Sequence, residues 1–409
     1  MDPAIVPLDN PVQNYAWGSR TAIADLLGRP SPGGRPEAEL WIGAHPQAPS
    51  RLAAVPGPLG RDGVPGGPRT LDALIRSAPE AMLGPEAVRR WAGELPLLMK
   101  MIAAAEPLSI QCHPNREQAL AGFAREDAQG LPRDAPQRNY RDPNHKPELV
   151  VALTRFVGLK GFRPVKEIAR GLGSLEVPEL RAAAASLIES DGLKRLFAWL
   201  WSRPTGERVP LVDRAVAGAA RRRGDDAAFS WMERLHAKYP GDIGVFAPLL
   251  LNLFELAPED GLFLSAGELH AYLEGTAMEV MASSDNVLRG GLTPKHVDVP
   301  ELLAVGAFRP SPPVVLRPVP GSPGERVYRT PAPEFELAFL EVTPDASFAA
   351  GVGHGPELML GLDGSATITS EGASWPLGRG RSVFVPAAVG SYRIEGEARI
   401  SRARVPGPA

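Results

Sequence analysis

Three short stretches hold the side chains best able to do chemistry. In Ser109-Ile-Gln-Cys-His113, an extended chain places Ser109, Gln111 and His113 on one face and Ile110 and Cys112 on the other. By itself that pattern is also the pattern of a solvated strand edge. The stretch Tyr140-Arg-Asp-Pro-Asn-His-Lys-Pro-Glu148 crowds ionisable groups between prolines that fix the backbone. Lys146 and Glu148 share a face there, while His145 points elsewhere; composition alone leaves a polar loop equally open. The third stretch, Glu268 to Lys295, reads as strand, turn and strand, with His270 and Tyr272 on one face and Glu279 on the return strand. Arg289 and Lys295, framed by glycines and a proline, are what an anion such as phosphate needs, although isolated Arg and Lys more often make surface ion pairs. Together the stretches offer Gln111, His113, Glu148 and His270 as ligands. Two imidazoles and a carboxylate suit a borderline divalent metal such as Zn²⁺, with an amide oxygen fourth and room left for water or substrate. No zinc-finger spacing exists, and one cysteine rules out a four-cysteine site; from spacing alone the ligand set is a weak claim.

The elements that must position these groups come from 409 residues, enough for two or three domains of about 150 residues each. The 43 glycines and 44 prolines predict many turns and a β-rich chain. With 44 basic against 47 acidic residues, the net charge of −3 gives no footprint for nucleic acid or an anionic membrane. A single cysteine makes no internal disulfide and fits a reducing compartment. The N-terminus lacks a basic-then-apolar leader, and no run reaches the ~18 apolar residues of a spanning helix. A cytoplasmic protein is the expectation.

Strands are predicted over Leu95–Ile102 and Leu108–His113, with a buried strand pair over 148–162 and a helix over Asn115–Glu126. From Val165 to Tyr239 the pattern turns helical: Leu193, Leu196, Phe197, Leu200 and Trp201 recur at i, i+3, i+4, i+7, i+8, and two more helices follow over 211–223 and 227–239. Strand character returns from Phe246 to about Phe308. The Pro-rich stretch 310–333 reads as a linker. Beyond it Phe335, Leu337 and Phe339 alternate, and Asp363-Gly364 reads as a hairpin turn after Leu358–Leu362. A long Gly/Pro loop is expected over Arg51–Arg69.

These stretches resemble the signatures of the type I phosphomannose isomerases, a family of zinc-dependent cupins. The Tyr140–Glu148 stretch matches one family motif, and His270-Ala-Tyr-Leu-Glu-Gly through Arg289-Gly-Gly-Leu-Thr-Pro-Lys295 matches another. Asn14-Tyr-Ala-Trp-Gly-Ser19, Ala38-Glu-Leu-Trp41, Gly43-Ala-His-Pro46, Leu95-Pro-Leu-Leu-Met-Lys100 and Leu108–Pro114 are further matching pieces. The likeness runs from residue 14 to about 296. It implies a mainly β fold of two cupin-type jelly-roll β-sandwich domains plus an α-helical domain. The catalytic jelly roll would span 1–163 and 241–309, the helical insert 164–240, and a metal-free jelly roll 334–409.

Carried over, the resemblance implies one Zn²⁺ per chain on Gln111, His113, Glu148 and His270. Around it would stand Trp17, Glu39, Lys100, Ser109, Lys146, Tyr272, Glu279, Asp285, Arg289 and Lys295. The implied reaction interconverts mannose 6-phosphate and fructose 6-phosphate through an enediol(ate), in a cytoplasmic monomer serving mannose metabolism. Lys146 and Arg289 are expected to stabilise the enediolate, and His145 or Asp285 to shuttle the ring-opening proton. Glu279 is a candidate C1/C2 base, with Asp285 and His145 as rivals. Lys100, Ser109 and Lys295 are expected on the phosphate, with Arg289 as an alternative. Two departures stand out: Gly290 replaces the usual alanine, which would loosen the loop bearing Arg289, and Cys112 is expected to face away from the metal as an inert thiol. Trp17 and Trp41 are expected as core or pocket wall, His45 as a turn residue, and His236 and His354 without a functional role. The rivals on the same fold are an iron or manganese dioxygenase, whose sites favour histidine-richer ligand sets, and a non-catalytic sugar-phosphate sensor.

Overall fold

The computed structural model describes residues 4–53 and 68–407. Most of the loop expected over Arg51–Arg69 therefore lies outside the described residues. Among these residues the strands form one 11-stranded and one 10-stranded antiparallel arrangement, with a run of helices from Val165 to Leu250. The mainly β, two-jelly-roll class with a helical unit is the observed one. No helix among them is long and apolar enough to cross a membrane.

Period-2 alternation explains how the 11-stranded unit is built. Ile110, Cys112, Leu269, Ala271 and Leu273 join one apolar cluster with the helical unit's Leu196, Phe197, Trp201 and Phe246. The residues between them, Gln111, His270 and Tyr272, face the other way. Cys112 is fully buried in that cluster, and burial pushes its thiol up to about 12. On the opposite wall, Leu40, Ile42, Leu97, Met99, Met101, Leu149, Val151, Met278 and Val280 join Leu337, Phe339, Leu358 and Phe384 of the C-terminal sheet. Their alternates, including Glu39, Trp41, Lys100, Glu148 and Glu279, face inward. Each wall is thus backed by a different apolar layer.

The expected elements lie close to the observed ones. Strands run Leu97–Ala104, Ile110–Cys112, Glu148–Ala152 and Phe156–Phe162. The helix Arg116–Ala128 starts at Asn115, whose side chain and that of Gln118 form a reciprocal capping box. All five residues of the predicted Leu193–Trp201 face are buried on helix Gly192–Trp201. The next helix begins at Thr205, earlier than expected, and accommodates Pro210 in its interior. Residues 243–250 are short helical turns rather than the start of strand.

Three readings change. The stretch 270–282 is one continuous strand, not strand, turn and strand: its first half pairs with Phe156–Phe162 and its second with Leu97–Ala104 and Glu148–Ala152. A register shift between Tyr272 and Glu274, followed by Gly275 at φ 118°, bends it from one wall to the other. Asp363-Gly364 is not a turn but lies inside the strand Glu357–Ser370, just after a register shift between Gly361 and Asp363; the hairpin closes instead at Glu371-Gly372, with φ of 50° and 80° as a type I′ turn requires. Residues 310–333 carry the strands Val315–Leu316, Val319–Pro320 and Glu325–Tyr328, all at or near sheet edges, where proline's missing N–H is tolerated. The first strand, Val6–Asp9, pairs with Ser382–Val385 and so belongs to the C-terminal sheet.

The helical unit also reaches the site strand directly. Trp201 Nε1 donates to the Gly290 carbonyl at 2.7 Å, and a Cβ on Gly290 would lie 2.9 Å from Ile110 Cγ2. Gly290 is therefore closely packed and anchored, contrary to a loosened loop. Trp201→Phe should leave that buried carbonyl unpaired and lower stability by about 1–3 kcal/mol in urea unfolding; no change would mean that the contact is not made in solution.

Candidate active site and metal centre

His113 and His270 come from neighbouring strand ends and Glu148 from the facing wall. Their ligand atoms all lie within 4.8 Å of one another, and all three residues are buried. His113 Nδ1–H donates to the Asn286 carbonyl at 2.8 Å, and His270 Nδ1–H to the Glu268 carbonyl at 3.0 Å. A carbonyl only accepts, so both rings hold their proton on Nδ1 and present a lone pair at Nε2. Those lone pairs face the two oxygens of Glu148, at 3.3 Å from His113 and 3.4 Å from His270. His113 Nε2 has no hydrogen-bond partner. Three electron-pair donors thus converge with no proton between them, which is the arrangement a cation satisfies. A tetrahedral ion with bonds of about 2.0–2.1 Å separates its ligand atoms by roughly 3.3–3.4 Å, so the donor set fits zinc. Gln111 stands directly opposite His270 across the ladder and is half-buried.

Electrostatics keep the set in ligand form. Burial, then the charge of Lys146, pushes His113 down to about 4. Burial opposes ionisation of Glu148, but His113 and Lys146 outweigh it and hold the carboxyl well below its usual range. We attribute that chiefly to Lys146, whose Nζ lies 3.3 Å from Glu148 Oε1, because the two imidazoles are neutral.

A second buried group lies on the other wall, where Trp41, Lys100 and Glu279 are successive cross-strand partners. Lys100 Nζ is 3.3 Å from Glu279 and 3.8 Å from Glu39, and 5.1 Å from the centre of the Trp41 ring. Trp41 Nε1 donates to Glu39 at 2.5 Å. Burial alone would lower Lys100, but Glu39 and Glu279 prevail and hold it protonated above its ordinary value. Burial pushes Glu279 up; Lys100 opposes this, and Glu148 and Glu39 add to it. Tyr272 OH donates to Glu279 at 3.0 Å although the two are seven positions apart in one strand. An odd separation places residues on opposite faces, and the register shift after Tyr272 restores them to the same side.

The remaining expected residues spread outward. Trp17 packs on the apolar cluster of Ile102, Leu108 and Tyr272, and Tyr15 stacks on it at 5.7 Å. Ser109 is half-buried just before its strand. Asp285 is more open: it accepts from Gln47 Nε2 at 2.7 Å and stands 3.5 Å from His45 Nε2. His45, expected only as a turn residue, does accept from the Gln47 amide at 3.4 Å, but it is also buried beside Trp41. His145 is not brought into the cluster; its Nε2 meets Glu334 at 2.6 Å. His236 pairs with Asp213, and His354 gives its ring nitrogens to the Gly355 and Val389 carbonyls. Arg289 is half-buried on the strand position opposite Gln111, and Lys295 is exposed beyond it.

Sequence reasoning passed over Asn286. It is fully buried; its Oδ1 accepts from the Arg141 and Asp142 amides at 2.7 and 3.2 Å, and its Nδ2 donates to the Asp142 and Asn144 carbonyls at 2.7 and 2.8 Å. It thus ties the segment leading to Lys146 and Glu148 onto the residue whose carbonyl orients His113. Nothing in its residue type announces this; only a polar side chain with no solvent would.

The type I phosphomannose isomerase catalytic-domain model matches residues 5–165, and the mannose-6-phosphate isomerase cupin-domain model matches 334–405. Mannose-6-phosphate isomerase of Salmonella typhimurium is 39% identical over 400 residues, covering 97% of this chain and 98% of that one. The Bos taurus protein of the same name is 34% identical, covering 94% and 93%. Among solved structures, a zinc-bound mannose 6-phosphate isomerase superposes with a TM-score of 0.87 at 37% identity, over 98% of this chain and 99% of that one. A point variant of the Salmonella typhimurium phosphomannose isomerase gives 0.88 at 37%, with the same coverage. Likeness of this extent, end to end, makes the chain a member of the type I phosphomannose isomerase family.

Proposed function

We propose that the chain interconverts mannose 6-phosphate and fructose 6-phosphate, an aldose–ketose isomerisation in which a proton passes between C2 and C1 through a cis-enediol(ate). The observation that carries this reading is the buried convergence of His113, Glu148 and His270 in the same pocket as the carboxylate of Glu279. Those three residues with Gln111 would hold one zinc ion per chain, which when bound would supply Lewis-acid stabilisation of negative charge on sugar oxygen.

Glu279 is assigned the transfer between C2 and C1. Burial raises its proton affinity toward the operating range of a general base, and Tyr272 and Lys100 fix its oxygens. Lys100 is balanced by two carboxylates, so its part is to hold Glu279 rather than to bind phosphate. Lys146, beside Glu148, donates to the sugar oxygens. Asp285, at the more open edge, serves ring opening; His145, engaged by Glu334, is given no proton-transfer part. Glu39, Trp17 and Ser109 line the sugar, while Arg289 and Lys295 take the phosphate. With one cysteine the chain holds no internal disulfide, which fits the reducing cytoplasm where we place it.

Purified protein should turn over mannose 6-phosphate, lose activity to a chelator and regain it with zinc, while His270→Ala stays inactive under both conditions. Turnover indifferent to chelation, or none from folded, zinc-loaded protein, would refute the assignment and leave the dioxygenase or sensor reading. Glu279→Gln should retain zinc yet lower kcat by about 10²–10⁴-fold; a wild-type kcat would move the base elsewhere. Asn286→Ala should weaken zinc binding by about 10–100-fold in a chelator competition, and unchanged affinity would remove its positioning part.

A further inference from the structure

Of the cations around this pocket, Lys100 and Lys146 face carboxylates. Arg141, Arg289 and Lys295 pair with none within 4.0 Å among the described residues. We propose that Arg141 is a third phosphate ligand, completing with Arg289 and Lys295 a three-cation anion site at the open end of the pocket. The proposal deepens the isomerase reading, on which it rests for the identity of the phosphate carrier as a sugar phosphate.

The geometry begins with Asn286. Its Oδ1 accepts from the Arg141 amide at 2.7 Å, and Arg289 follows three residues later on the strand next to Gln111. The Asn286 carbonyl orients His113, so one buried residue ties the backbone of Arg141, and of the segment running on to Arg289, to a metal ligand. The segment bearing Arg289 and Lys295 is itself fixed. Trp201 holds the Gly290 carbonyl at 2.7 Å, and Asp242 accepts from the Leu292 and Thr293 amides at 2.9 and 3.3 Å. Arg141 and Arg289 are half-buried and Lys295 is exposed, so the group opens toward solvent.

Holding three like charges together with no counter-charge is unfavourable unless an anion joins them. Partial loss of hydration, then the charge of Arg141, pushes Arg289 below its ordinary value; Lys295 is pushed down by the same loss, then by Arg289 and Arg141. The three charges therefore sense one another. A phosphate monoester carries about −1.5 to −2 charges near neutral pH, and guanidinium groups meet its oxygens two at a time. Arg141 lies in the stretch Tyr140–Glu148, where Lys146 and Glu148 drew attention by their shared face; its own part emerges only from the docking of its backbone on Asn286.

The test uses the zinc-loaded, full-length protein and Arg141→Met, with Arg141→Lys as the conservative control. Inorganic phosphate is titrated calorimetrically, and KM and kcat for mannose 6-phosphate are measured. Losing one charge-assisted phosphate contact should weaken phosphate binding and raise KM by roughly tenfold or more, with kcat reduced far less, and the lysine variant should recover most of the loss. Unchanged phosphate affinity, or a fall in kcat with KM preserved, would overturn the proposal. The titration needs no turnover, so failure of the isomerase reading in the wild-type protein would be seen separately.

Discussion

The structure depends on forcing three electron-pair donors together where water cannot separate them. The Nε2 lone pairs of His113 and His270 face both oxygens of an ionised Glu148 at 3.3–3.4 Å, all three side chains being buried. Without a cation such a cluster is repulsive, and a low-dielectric interior magnifies the cost. It persists because each ring is turned from behind by a backbone carbonyl and those carbonyls are themselves pinned. Glu268, whose carbonyl orients His270, has its carboxylate held by Lys160 at 2.7 Å and Ser311 at 2.5 Å. Asn286, whose carbonyl orients His113, is saturated by the 141–144 backbone. The metal chemistry is therefore prepared two contacts away from the ligands.

The same constraint accounts for the layers outside. A strand that gives every second residue to a polar pocket must bury its other residues elsewhere. Ile110, Cys112, Leu269 and Ala271 do so against the helical unit, and Met99, Met101, Leu149 and Val280 against the C-terminal sheet. Neither added layer supplies a donor to the three-ligand cluster, yet each covers the back of one wall of it. The long strand 270–282 is the hinge between walls: its shift after Tyr272 lets one strand supply His270 on one side and Glu279 on the other.

Much of this was legible in the sequence because alternation and helical period are local. The His113, Glu148 and His270 set stood in three recognisable stretches, and helix Gly192–Trp201 showed its buried face by spacing alone. What was not legible depended on partners far away in the chain. Asp363-Gly364 has the composition of a turn, but Gly364 pairs with Ala398 inside a ladder that the pair cannot reveal. The prolines of 310–333 speak against strand unless one knows that the strands lie at sheet edges. His145 sits in the motif beside Lys146, yet it turns to Glu334, 189 positions away. Gly290 looked like a loosening because glycine is permissive, whereas Trp201 from the helical unit holds its carbonyl.

The cations divide by depth, and that division orients a substrate. Inside, Glu39, Glu148 and Glu279 stand against Lys100 and Lys146, all buried, so the protein groups alone carry more negative than positive charge there. Once zinc is bound the balance there would no longer be negative, but a phosphate dianion pushed into that end would still lose its hydration without gaining an unpaired protein cation, a cost that the neutral hydroxyl and carbonyl end of a sugar does not meet. Outward the balance reverses, because Arg289 and Lys295 pair with no carboxylate within 4.0 Å among the described residues. On the proposed assignment an acyclic sugar phosphate would thereby be sorted end from end before any specific hydrogen bond forms: its phosphate would stay at Arg289 and Lys295, and its C1–C2 end would reach the buried carboxylate and the metal ligands. On that assignment the unequal pairing of lysines and arginines would be a positioning device in its own right, since any counter-charge added at the mouth would weaken the discrimination between the two ends.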